Sequence, residues 1–150
     1  MGPAGNLKRS MRILAVDPGE KRLGIAISDP TGTIANPLTV LTHVSRWEDA
    51  AAIVWLADEH GAGRIIIGQA LGADGEPTSQ SKQAARLAAV VRKQTALPVE
   101  LWDESGSTQA AREARLAMGA RRRKRSGHLD ELAATYILQT YLDACAGNPS

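Results

Sequence analysis

The sequence predicts a mixed α/β domain: a five-stranded sheet in which strands 1 to 3 form an antiparallel meander and strands 4 and 5 run parallel, flanked by helices. Three observations predict it. Two short aliphatic runs, MRILAVD and RLGIAISD, are separated by PGEK, a turn signal that pairs Pro with Gly. From residue 50 onward, apolar positions at helical spacing alternate with short continuous apolar runs. The chain has 150 residues, 43% of them hydrophobic, which is enough for one core and too little for two full domains.

The elements follow in order. The two runs flanking PGEK read as a β-hairpin. TIANPLTVL reads as a third strand, and its Pro37 cannot donate to a central ladder, so the strand belongs at an edge or carries a bulge. Ala50, Ile53, Val54 and Ala57 keep i, i+3, i+4, i+7 spacing, and GAG after His60 offers positions free to take positive φ where that helix stops. RIIIG has the continuous apolar character of a strand covered on both faces. QALGADGEPTS is a loop, and the helix after it presents Ala84, Leu87, Ala88 and Val91 inward. Pro98 marks its exit into VELWD, the fifth strand. Ser107 or Thr108 caps a further helix carrying Ala110, Ala114, Ala117 and Met118, and Leu129, Leu132, Ala133, Tyr136 and Ile137 stripe the last one. Strand, helix, strand, helix, strand in succession implies right-handed crossovers and a parallel half-sheet beside the hairpin.

Composition excludes several classes. The single cysteine, Cys145, rules out an internal disulfide and a thiol zinc site, in keeping with a reducing, cytoplasmic setting. No run approaches the roughly 18 apolar residues of a membrane span, and MGPAGNLKRS lacks the apolar stretch of a secretory signal. Residues 1–10 read as a disordered extension or an expression remnant, 11–146 as one domain and 147–150 as a tail. There is no P-loop, and no motif pairs His43, His60 or His128 with a nucleophilic Ser or Cys, although His128 lies two residues before Asp130. An actin-like or sugar-kinase-like ATPase would need a second such domain.

Acids that end strands are informative, because open α/β sheets bind ligands beyond the carboxyl ends of their parallel strands. Asp17 closes the first strand, Asp103 and Glu104 close the fifth in LWDESGST, and Asp130 enters the first turn of the last helix on the face of Ala134 and Ile137. Each alone is an ordinary turn or cap residue. Gathered in one place they would repel one another and lose hydration, unless hard divalent cations with a preference for oxygen ligands offset that cost. Two such ions about 4 Å apart serve in-line displacement at a phosphodiester.

DPGEKRLGIAISD, DGEPTSQS, DESGST and HLDELAATYILQTYLD, in that order, resemble the YqgF family of pre-16S rRNA nucleases, related in fold to Holliday junction resolvases. The resemblance covers about Met11 to Asp143. It implies an RNase H-like fold and a divalent-metal-dependent phosphodiesterase that uses Mg²⁺ or Mn²⁺, as two ions, to trim the ends of precursor 16S rRNA. Its catalytic and metal-holding acids fall on Asp17, Asp103, Glu104 and Asp130, and its cationic pair after the turn falls on Lys21 and Arg22. Two departures stand out: Ser105 replaces the Arg that follows the family's acid pair, and Gln69-Ala70 replaces Leu-Pro after the fourth strand.

The net charge of +2 is small, but Arg121, Arg122, Arg123, Lys124 and Arg125 form an unbroken basic run just ahead of Asp130. With Lys21 and Arg22 it suits a polyanion bound through its backbone. Aromatics are scarce, and helical spacing assigns Trp55 and Tyr136 to the core, which argues against base stacking as the means of readout. The expected partner is RNA, pre-16S rRNA within the small ribosomal subunit, with no membrane and with the protein a monomer or homodimer. Two other functions compete: resolution of four-way DNA junctions, and a non-catalytic RNA-binding module.

Overall fold

The computed structural model describes residues 11–103 and 128–147. Its sheet holds β1 (Arg12–Pro18), β2 (Arg22–Ser28), β3 (Ala35–Thr42), β4 (Ala62–Gln69) and β5 (Val99–Asp103) in the spatial order β3-β2-β1-β4-β5. β1 pairs antiparallel with β2 and β2 antiparallel with β3, while β4 runs parallel to both β1 and β5. The helices are α1 (Arg46–Glu59), α2 (Ser79–Gln94) and α3 (His128–Gly147). The helix expected over Ala110 to Met118 lies outside the described residues.

Pro37 does both things its chemistry allows. β3 is the edge strand, and the β2–β3 register slips where Ala26 pairs with Pro37 and Ile25 with Thr39, leaving Leu38 as the extra residue of a bulge. β4 is covered on both faces, with Ile65, Ile66 and Ile67 all fully buried. α1 starts at Ser45, whose hydroxyl accepts from the Glu48 N–H, and stops at His60 ahead of Gly61 at φ +68°. α2 begins with a reciprocal capping box: Ser81 N–H donates to Thr78 Oγ1 at 3.0 Å, and Thr78 N–H donates to Ser81 Oγ at 2.8 Å. The Thr78 hydroxyl also donates to the Ala70 carbonyl at 2.7 Å, closing the loop that leaves β4.

The period of two along each strand divides the core between the sheet's faces. Leu14, Val16, Leu23, Ile25, Ile65, Ile67 and Val99 face α1 and α2, where they meet Ala50, Ile53, Ala84, Leu87, Ala88 and Val91. Ile13, Ala15, Ala26 and Ile66 face α3 and meet Ala134, Ile137, Leu138, Tyr141 and Leu142. Fully burying Ile137 and Leu138 contributes roughly 1.5–3 kcal/mol apiece.

Two side-chain expectations need correction. The buried stripe of α3 is Ala134, Ile137, Leu138 and Tyr141, while Leu132, Ala133 and Tyr136 are only half-buried. This helix is apolar nearly all round, so its composition does not single out the face that packs. Trp55 is 61% exposed and not a core residue. It follows Ile53 by two residues, about 200° around the helix, and so lies across from the stripe that docks.

Candidate active site

β1, the middle strand of the sheet, carries Asp17 one residue before its end. Ile13 and Ala15 lie in the core beneath α3, so alternation sets Asp17 on that same face, where it is half-buried at the strand's end. Gly24 is its partner across the hairpin. On the other side Val16 pairs with Ile67, so the next step of the ladder brings Gly68 beside Asp17. The carboxylate is thus flanked by two residues without side chains.

Gly68 has a second task. A Cβ built there would lie 2.6 Å from Ile137 Cδ1 and 3.3 Å from both Cγ1 and Cγ2. The missing methyl is what lets α3 sit down on the sheet at this level. Further along the helix, Trp102 Nε1 donates to Thr140 Oγ1 at 3.0 Å, and the Tyr141 hydroxyl donates to Glu100 Oε1 at 2.9 Å. The Trp102 and Tyr141 rings meet edge to face, with centroids 5.1 Å apart. Glu100 Oε1 also accepts from Arg64 Nη1 at 2.7 Å. Burial, and then its bond to Glu100, push the Tyr141 hydroxyl pKa up, so it stays a donor. These contacts run from the carboxyl ends of β4 and β5 towards their starts as α3 is followed forward. The helix therefore lies antiparallel to the parallel strands, and its first turn is carried to the end of the sheet where Asp17 stands.

Asp130 belongs to that first turn, four residues before Ala134 and seven before Ile137, at a helix position on the stripe that packs. Its side chain, like Glu104 and the whole Arg121–Arg125 run, lies outside the described residues. Asp103 ends β5 level with Gln69. It alternates with Val99 and Leu101, which pack on the α1–α2 side, and so falls on the face opposite Asp17, two strand spacings or roughly 10 Å across the sheet. Asp17 and Asp103 share one end of the sheet but not one side. Among the described residues no group of three or more His, Cys, Asp or Glu is placed to hold a metal. Lys21 and Arg22 are exposed at the hairpin turn.

That turn does not need its glycine for positive φ. Gly19 has an ordinary φ, and a Cβ on it would lie 2.5 Å from the Arg22 carbonyl oxygen. Glycine is required by the tightness of the turn. One pairing had no sequence signal at all: His43 Nδ1 lies 2.5 Å from Asp49 Oδ2. The two meet because the Ser45 cap turns the chain sharply from β3 into α1.

A mixed sheet in the order 3-2-1-4-5, with an acid ending its central strand and a helix laid back across that strand, is the RNase H-like architecture of RuvC-type resolvases. Solved structures with this arrangement include Thermus thermophilus RuvC in complex with a Holliday junction substrate (TM-score 0.59, 16% identity, 91% of this chain and 96% of that one). The fowlpox virus Holliday junction resolvase is another (TM-score 0.54, 15% identity, 91% and 99%). At such identities the likeness concerns fold.

Within that class, the chain belongs to the RuvX family, described as Holliday junction resolvase, whose model matches residues 11–144. This is the YqgF family that its motifs resemble. Relatives named "Putative pre-16S rRNA nuclease" include one from Chloroflexus aurantiacus, 38% identical over 138 residues, 92% of this chain and 90% of that protein. Another, from Syntrophus aciditrophicus, is 40% identical over 134 residues, 89% of each. The family is one of nucleases, hydrolases of phosphodiester bonds. Among the described residues no helix is long and apolar enough to cross a membrane.

Proposed function

We propose that this protein is a divalent-metal-dependent nuclease that hydrolyses phosphodiester bonds of precursor 16S rRNA in the cytoplasm. The observation that carries the reading is the setting of Asp17: a strand-end carboxylate between two glycines, on the face and at the end of the sheet to which α3 brings the helix position of Asp130. The substrate comes from the names of the relatives.

Asp17, Glu104 and Asp130 are the proposed ligands, an oxygen-only set suited to Mg²⁺ or Mn²⁺. Bound there, two such ions supply an activated water and neutralise the leaving oxygen. Alternation along β5 sets Asp103 on the other face, and of the strand-end pair Glu104 is the proposed ligand. Lys21, Arg22 and the Arg121–Arg125 run hold the backbone phosphates, a charge-based grip without base selectivity.

The test pairs a precursor rRNA fragment with a synthetic four-way DNA junction, each with Mg²⁺, Mn²⁺ or EDTA. Cleavage of the RNA should require metal and be lost in Asp17→Asn and Glu104→Gln, while Asp103→Asn keeps a larger share. Equal cleavage by Asp17→Asn sinks the assignment. A second reading, junction resolution, is favoured by the family's description and predicts symmetrical nicking of the DNA junction with the RNA left intact.

A further inference from the structure

On the face of the sheet opposite α3, a cavity of about 370 Å³ opens under the β1–β2 turn, between that turn, the start of α1 and α2. Leu23 and Leu87 form its floor, and His43, Ser45, Arg46 and Gln83 bring polar groups to its walls. Pro18 and Gly19, the two residues after Asp17, form another wall. Its size is at the lower end of the range for small-molecule sites.

Asp49 is 5% exposed, and a buried carboxylate needs partners. Oδ1 accepts from the Val44 N–H at 3.0 Å, and Oδ2 meets His43 Nδ1 at 2.5 Å. An ionised carboxylate can only accept, so Nδ1 carries the hydrogen and Nε2 is the nitrogen left for a ligand. The His43 backbone is fixed as well, its N–H donating to the Lys21 carbonyl at 2.9 Å. The imidazole is therefore held between the hairpin turn and α1. Three residues on, Arg46 is exposed and lines the same cavity, and its guanidinium is a fork matched to phosphate oxygens.

We propose that this cavity is a phosphate-binding subsite that takes one nucleotide, its phosphate on Arg46 and the Gln83 amide and a ribose hydroxyl donating to His43 Nε2. Among the lining residues, Glu20 is the acid besides Asp49, and it weakens the site for an anion. The proposal rests on the nuclease reading only for the source of that nucleotide, a strand passing over the sheet end from Asp17.

The test uses the full chain in EDTA, followed by backbone NMR, with inorganic phosphate, a 5′-mononucleotide and a short oligoribonucleotide as probes. Shifts should centre on Gly19, Ser45, Arg46 and Gln83. Arg46→Gln and His43→Gln should each weaken binding about tenfold or more, and Glu20→Gln should tighten it. Binding of the mononucleotide with no gain from the oligoribonucleotide assigns a free ligand; tighter binding of the oligoribonucleotide assigns the strand. Arg46 is exposed, so its variant decides the matter even if His43→Gln loosens Asp49. Affinities within twofold of wild type in the Arg46 variant, or shifts confined to other surfaces, overturn the subsite. Asp17→Asn should leave this binding intact. Cleavage without binding here thus refutes the subsite alone, and binding without cleavage refutes the nuclease reading alone.

Discussion

Gly68→Ala is the sharpest probe of how the site is held together. The added methyl would stand 2.6 Å from Ile137 Cδ1, about 0.8 Å inside ordinary contact, with two further carbons at 3.3 Å. Ile137 is fully buried, so in a close-packed interior it can give way only by displacing its neighbours. Either the side chain leaves its rotamer or α3 lifts from the sheet, and overpacking of this kind costs roughly 1–3 kcal/mol. For a chain of this length, a loss near the middle of that range lowers the melting temperature by about 4–8 °C. Activity should fall further than stability, since a displacement of this order at a catalytic constellation costs on the order of 10²-fold.

The control is a double-mutant cycle with Ile137→Val, which deletes the clashing Cδ1. Alone it should cost about 0.5–1.5 kcal/mol; in the Gly68→Ala background it should cost nothing or stabilise. Denaturant melts of the four proteins measure the coupling, and metal-dependent cleavage assays follow its effect on the site. Strict additivity in stability, or a Gly68→Ala protein as stable as wild type, would refute the idea that this glycine sets the height of α3.

Three further outcomes are expected. Gly19→Ala drives a methyl to 2.5 Å from the Arg22 carbonyl oxygen, a backbone atom that cannot swing away, so it should destabilise by roughly 1–3 kcal/mol in denaturant melts. Asp29 accepts from the Ile34 N–H at 2.9 Å, the Thr31 hydroxyl and the Thr33 N–H at 2.7 Å, in that order of effect, and these hold its pKa below the usual carboxylate range. With the folded pKa lowered, its stabilisation is present above the unfolded value of about 3.9 and is lost as pH falls below it. The gap in melting temperature between wild type and Asp29→Asn should accordingly narrow from pH 5 towards pH 2, and a constant gap would contradict this. Replacing Arg121 to Arg125 with Gln should reduce the salt slope of RNA binding by up to about 3.5; an unchanged slope would remove that run from the interface.

Much of the fold was legible because each element announces itself locally. Pro37 forbids a central position, the β4 isoleucines need cover on both sides, and the Ala84, Leu87, Ala88 and Val91 stripe has one solution as a helix. The acids that end strands were legible too, since position along a strand is a local property. Trp55 misled because an aromatic ring among helical apolar residues says nothing about which side docks, and α1 docks through Ala50, Ile53 and Ala57.

What the chain order could not settle is which groups share a side of the sheet. Asp17 and Asp103 look equivalent as strand-ending acids, but alternation counted from buried neighbours on paired strands sets them on opposite faces. Gly68 became meaningful only when Ile137, 69 residues later, was found against it, and His43 only when the turn into α1 brought it to Asp49. Periodicity and turn chemistry act over a few residues and are written in the sequence. Contact between distant segments depends on how whole faces pack, and that is decided by three-dimensional volume and register.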